Sequence, residues 1–208
     1  MEDVLEVYAR PYNKEYPVVC MDEQPTQLIK ETRPKIFAAP GKPERRDYEY
    51  ERNGTAANFM FTETLAGWRK VKVREQRTAT DWASEINELL EVDYPDAKKV
   101  VLVCDNLNTH DTASLYKAFA PATARKMAER LEIHYTPKHG SWLNVAEIEF
   151  SAFTRQCLAR RIPTIEILRL EAETWYADRN VKQKSVDWQF TTDQARIKLK
   201  RLYPKFQS

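Results

Sequence analysis

Two short runs, Val18-Val19-Cys20-Met21-Asp22 and Val101-Leu102-Val103-Cys104-Asp105, constrain the fold of this chain more than anything else in it. Each is an apolar stretch that stops at an aspartate. A brief continuous apolar run of this kind suits a buried strand. Side chains alternate across a strand, so Val18, Cys20 and Asp22 share one side, as do Val101, Val103 and Asp105. If the two strands are parallel neighbours, their carboxylates meet. Like charges at close range ionise together only at a cost unless a cation lies between them. An all-oxygen donor set favours Mg²⁺ or Mn²⁺. The plainer reading is that each aspartate begins a turn or caps the next helix, and the pattern leaves both open.

The remaining punctuation predicts a mixed sheet with helices packed on it. Residues 1–16 read as a short helical or linker lead-in, and Tyr16 to Met21 as the first strand. The stretch from Arg33 to Gly54, rich in Pro and Arg, reads as a long exposed connection. Thr55 to Glu63 and Trp68 to Glu75 suit a hairpin turning at Leu65-Ala66-Gly67, with Trp68, Lys70, Lys72 and Arg74 on a wet face. Asp81 or Thr80 caps a helix running to about Val92. The strand ending in Asp105 follows, then helices over Ala113 to Phe119 and Pro121 to Leu131, and a strand over Glu132 to Thr136. Ser141 is expected to cap a long helix whose apolar seam is Leu143, Ala146, Phe150, Phe153 and Cys157. Pro163-Thr164 starts another helix, and Asp193 opens a last basic one.

That long helix offers a third acid, in Glu147 or Glu149. At about 100° per residue both flank the apolar seam, on opposite sides. Glu147 shares its flank with Asn144 and Ser151, whereas Glu149 lies toward Gln156 and Arg160. Helical geometry alone does not choose between them.

The composition, 42% hydrophobic and 31% charged over 208 residues, is globular and excludes disorder for most of the chain. No apolar run approaches the roughly 20 residues that cross a bilayer, and no signal peptide opens the chain, so a cytoplasmic protein is expected. Cys20, Cys104 and Cys157 show no paired spacing, which indicates neither a disulfide framework nor a zinc ribbon. His110, His134 and His139 fall in no zinc-binding pattern, and no serine-hydrolase, nucleotide-phosphate or dinucleotide fingerprint is present. The net charge of +2 hides an asymmetry: residues 151–208 carry 12 basic against 6 acidic side chains, and residues 1–150 carry 21 against 25. A basic end beside an acidic body suits a polyanion held over a metal site, or merely a solvated helical face.

At CDNLNTH (104–110) and HYTPKHGSWLNVAEIEF (134–150) the chain resembles the catalytic core of bacterial insertion-sequence transposases of the mariner superfamily, of the IS-six-thirty type. MDEQPTQL (21–28), DYEYERNGTAANFMF (47–61) and WQFTTDQARIKLKRLYP (188–204) extend the resemblance over nearly the whole chain. It implies an RNase H-like α/β fold, a mixed five-stranded sheet flanked by helices, with residues 17–208 as the catalytic domain. It further implies a triad of Asp22, Asp105 and Glu147, the last in Leu-Asn-x-x-Glu, holding two Mg²⁺ or Mn²⁺ ions.

The activity implied is metal-dependent cleavage of DNA at transposon ends and strand transfer into target DNA. The partners would be terminal inverted repeats and target DNA, with a homodimer compatible. Lys138, His139, Asn144 and His110 become candidates for orienting phosphates or an acid, and Arg155, Arg160, Arg161, Lys198, Lys200 and Arg201 for contacting the DNA backbone. Relatives carry an N-terminal helix-turn-helix region, which is expected to be missing here. The competing readings are a non-catalytic DNA-binding or dimerisation remnant on the same fold, and another RNase H-like nuclease such as a ribonuclease or junction resolvase.

Overall fold

The computed structural model describes residues 1–45, 47–138, 140–183 and 185–203. Five strands, β1 (Val18–Glu31), β2 (Tyr50–Glu63), β3 (Trp68–Arg74), β4 (Val100–Cys104) and β5 (Leu131–Tyr135), form one mixed sheet in the order β3-β2-β1-β4-β5. β1, β2 and β3 make an antiparallel meander, while β4 and β5 run parallel to β1. The expected mixed sheet is therefore present, with its two aspartate-ended strands side by side.

Period-2 alternation sorts the strand residues into two cores. Cys20, Met60, Val71, Val101 and Val103 face a layer built from α1 (Glu2–Tyr8), α5 (Val145–Gln156), α6 (Ile165–Val181) and α7 (Thr192–Lys198). Val19, Met21, Phe59, Phe61, Val100, Leu102 and Cys104 face α2 (Ala79–Glu88), α3 (Thr112–Ala118) and α4 (Pro121–Glu129). Val101, Leu102 and Val103 have no exposed surface, as strands covered on both sides require.

Local chemistry sets the helix limits. Thr78 caps α2 in a reciprocal capping box with Asp81, two or three residues earlier than the sequence suggests, and the helix ends in a wide turn over Leu89–Asp93. Thr164 and Thr191 cap α6 and α7. The long helix does not start at Ser141. Residues Ser141–Leu143 form a separate 3₁₀ turn, and Asn144 is the N-cap of α5, accepting from the Ala146 amide.

Three further expectations change. β1 is 14 residues long because β2 pairs along it well past Cys20, where pairing to β4 stops. Tyr50 to Gly54 belongs to β2, leaving 32–45 and 47–49 as the described part of the connection, mostly exposed, with bridges at Ile36/Arg45 and Ala39/Lys42. The alternating Lys70, Lys72 and Arg74 are roofed by α2 and the turn after it. Lys70 Nζ lies 2.7 Å from Asp93 and 2.8 Å from Glu88, Lys72 Nζ lies 2.8 Å from Glu88, and Arg74 pairs with Glu85.

Candidate active site

Parallel pairing of Val18, Val19 and Cys20 with Val101, Leu102 and Val103 sets β1 and β4 in register. Carried two residues further, that register brings Asp22, on the face of the sheet that α5 crosses, level with Asp105, just past the end of β4. α5 lays Ala146, Phe150 and Phe153 on that face, all buried, and Glu147 stands in its first turn beside them.

The start of α5 is tied directly to β1. Asn144 donates from Nδ2 to the carbonyl of Met21, at 2.9 Å, while its Oδ1 accepts from the Ala146 amide at 3.1 Å. Met21 immediately precedes Asp22, and Glu147 follows Asn144 by three residues. One buried amide thus sets the two acids' elements against each other. Tyr8 adds a second tie from α1, donating to the Leu143 carbonyl at 2.7 Å. Gly140 permits the tight turn before this segment: a Cβ there would come within 2.5 Å of the Pro137 ring.

A cleft of about 430 Å³ opens between β1 and α5, lined in part by Asp22, Glu147, Ser151, Thr154 and Arg155. The last three lie four, seven and eight residues beyond Glu147, the spacing that keeps side chains on one helix face. Burial pushes the Asp22 carboxyl up to about 6. The negative charges of Asp105 and Glu147 add to the rise, against the Glu23 amide, which donates to Asp22 at 2.7 Å, and the cationic field of His110. Asp22 therefore feels the repulsion of both other acids across a partly desolvated space.

The candidate residues divide on their surroundings. His110 and Asn144 are 0% and 1% exposed, so neither reaches a phosphate, and their polar atoms are taken up inside the protein. His110 places Nδ1 2.6 Å from Asp105 Oδ1 and Nε2 2.9 Å from Glu23 Oε1. Burial works against a charged ring there, but hydrogen bonds to Asp105, Cys104 and Glu23 outweigh it and push His110 up to about 12.

Arg161 is also occupied. It pairs with Glu31 at 2.5 Å, donates to the Tyr48 and Glu49 carbonyls and lies over the Tyr50 ring. Arg160 pairs with Glu171. Lys138, Arg155, Lys198, Lys200 and Arg201 are exposed, and His139 lies outside the described residues. His134 bridges Asp3 and Glu132, at 2.8 and 2.9 Å.

Glu149 is 3% exposed and is held by two guanidinium groups: Arg69 of β3 at 3.1 Å and Arg179 of α6 at 2.9 Å. The sequence reading missed Glu23 entirely. Its only local signal is adjacency to Asp22, and its partner His110 is 87 residues away.

A sheet of this order, with one carboxylate on β1, another just past the end of the adjacent β4 and a third acid on the helix packed over β1, defines an RNase H-like fold. The family of DDE superfamily endonucleases matches residues 17–169, and the chain belongs to that family, whose members use divalent metal ions. The Mos1 mariner paired-end complex with Mn is 16% identical with a TM-score of 0.55, covering 87% of this chain and 55% of that one. The Mos1 transposase paired-end complex with left transposon end is 14% identical with a TM-score of 0.56, covering 88% and 56%. The catalytic domain of Mos1 mariner transposase is 12% identical with a TM-score of 0.52, covering 87% and 81%. This chain thus spans a little over half the length of the first two, and the likeness is one of fold. No protein of curated function matches the sequence. No helix among the described residues is long and apolar enough to cross a membrane.

Proposed function

We propose that the chain is the catalytic core of a DNA transposase, with Asp22, Asp105 and Glu147 as its metal-holding acids. The observation that supports this reading is the β1/β4 register, which sets Asp22 level with Asp105, together with the cleft that Asp22 and Glu147 both line. Among the described residues no three His, Cys, Asp or Glu side chains form a ready-made cage for an ion. The fit lies in the donor set instead: carboxylate oxygens only, with Asp22 held up to about 6 by burial and acidic neighbours. That is an excess of negative charge which hard divalent cations relieve.

Asp22, Asp105 and Glu147 would hold Mg²⁺ or Mn²⁺, as two ions. When bound, the ions supply Lewis-acid activation of an attacking water or DNA 3′-hydroxyl and neutralise charge on the leaving oxygen. The chain's own residues would manage the substrate. Arg155 at the cleft, with Lys138, Lys198, Lys200 and Arg201 beyond it, offers cations to phosphates, which position DNA without reading its sequence. Ser151 and Thr154 present hydroxyl donors along the same helix face. The DNA would be transposon ends and a target duplex, a substrate pair supported by the transposon-end and strand-transfer complexes among the similar structures.

The test is nicking of a supercoiled plasmid in Mn²⁺, followed by strand transfer from a pre-cut transposon end. Asp22→Ala, Asp105→Ala and Glu147→Ala should each lower nicking by at least about 100-fold, because the ligands act as a unit. Nicking at the unaltered rate in any of the three would defeat the assignment. Nicking without strand-transfer product would indicate a different RNase H-like nuclease.

A further inference from the structure

We propose that His110 and Glu23 form a buried bracket that positions Asp105. This rests on the reading of Asp105 as a metal ligand. Asp105 lies just past the end of β4. The last ladder bond there runs from the Thr136 amide to the Cys104 carbonyl, at 2.9 Å, and the Asp105 side chain is 38% exposed. The strand alone therefore does not set the direction of that carboxylate. His110 does. The chain turns back so that the His110 amide reaches the Leu107 carbonyl at 2.9 Å. The ring, with no exposed surface, then places Nδ1 2.6 Å from Asp105 Oδ1, as a close charge contact, and 3.3 Å from the Asp105 carbonyl, so that it holds both the side chain and the main chain of that residue.

The residue is itself held from three sides, two of them on the ring. Trp82 of α2 stacks on it at 5.9 Å and 25°, Tyr135 of β5 donates to the His110 carbonyl at 2.7 Å, and Nε2 lies 2.9 Å from Glu23 Oε1. Glu23 follows Asp22 on β1, and its side chain is 2% exposed. By strand alternation it projects to the face of the sheet opposite Asp22. The bracket thus runs beneath the sheet, from the residue after the first acid, through one imidazole, to the second acid. Residues that orient a ligand in this way change metal affinity about 10–100-fold when altered.

Two near-isosteric substitutions separate positioning from packing. An asparagine side chain puts its amide nitrogen near the place of Nδ1, and a glutamine puts it near Nε2. His110→Asn therefore keeps the donor to Asp105, whereas His110→Gln keeps only the link to Glu23. Mn²⁺ binding is followed by electron paramagnetic resonance on the full chain without DNA, with melting temperatures recorded in chelator.

His110→Asn should bind Mn²⁺ within about threefold of the unaltered chain, and His110→Gln about 10–100-fold more weakly. Glu23→Ala, which frees the ring, should weaken binding about tenfold. A purely structural role ranks the variants the other way, because glutamine better fills the space of histidine. Glutamine binding as well as asparagine, or Glu23→Ala binding like the unaltered chain, would overturn the proposal. The Glu23 measurement decides should either His110 variant fail to fold. Asp105→Asn serves as the reference: if it leaves Mn²⁺ binding unchanged, the reading of the site itself fails. If it abolishes binding while His110→Gln does not, only the bracket falls.

Discussion

Glu147 and Glu149 stand two residues apart on α5 in opposite environments, and their substitutions should fail in opposite ways. Glu149 is enclosed by Arg69 and Arg179, so Glu149→Ala leaves two guanidinium groups facing each other without their carboxylate. Breaking such a buried pair costs about 3–5 kcal/mol, and thermal melting should show a large drop. Glu147→Ala should melt at or above the unaltered temperature while losing cleavage. Asp22→Asn is expected to raise the melting temperature in chelator at pH 7. The sign follows from its pKa: a carboxyl raised from 3.8 to about 6 disfavours its ionised form in the folded state, so it withdraws stability as pH climbs through that window. Asparagine removes the penalty, so the gain should be near zero at pH 4; an equal gain at both values would refute the argument. Asn144→Ala should cost about 2 kcal/mol, from a lost helix cap and a buried Met21 carbonyl left unpaired. An unchanged melting curve would show that the tie between α5 and β1 is made elsewhere.

At the level of elements, α1 is part of the core. Val4, Leu5, Val7 and Tyr8 are buried with α5, α6 and α7 over one face of the sheet, so the helical part of the lead-in is Glu2–Tyr8. Leu5→Ala should cost about 2–5 kcal/mol through the cavity it leaves; chemical denaturation measures it, and a loss under about 1 kcal/mol would mean that α1 docks only loosely. The β3 strand teaches the complementary lesson. Alternation correctly separates Val71 and Val73 from Lys70, Lys72 and Arg74, yet the polar side is not open to water. Alternation reports only which side chains share a face. Whether solvent or another element covers that face depends on where α2 docks; its Glu85 and Glu88, with Asp93 in the turn after it, answer the three charges one for one.

Across the whole molecule, the basic excess of residues 151–208 is partly spent on internal ion pairs: Arg161 serves Glu31, Arg160 serves Glu171, and Arg179 serves Glu149. The exposed remainder includes Arg155 at the cleft and Lys198, Lys200 and Arg201 beyond it, which under the proposed function would meet DNA. Charge reversal of the last three to Glu should weaken binding to all duplex sequences alike and flatten its dependence on salt, because backbone contacts release counterions without reading bases. Affinity through such contacts alone should lie at about 10⁻⁴ to 10⁻⁶ M at physiological salt. Fluorescence anisotropy across a salt series tests this, and binding unaffected by the reversal would make the last helix merely a solvated face.

The sequence by itself determined the strands, most helices and the faces to which the apolar residues turn, because periodicity and caps are local properties of the chain. It also marked Asp22 and Asp105, since an aspartate closing an apolar run is visible without knowing the neighbours. Between Glu147 and Glu149 the local geometry was silent, and only a family resemblance favoured the first. The environments of Glu149, His110, Glu23 and Arg161 belong to the tertiary structure alone. Each is defined by partners 30 to 130 residues away, and a charge or an imidazole carries no mark of the distant group that will bury it.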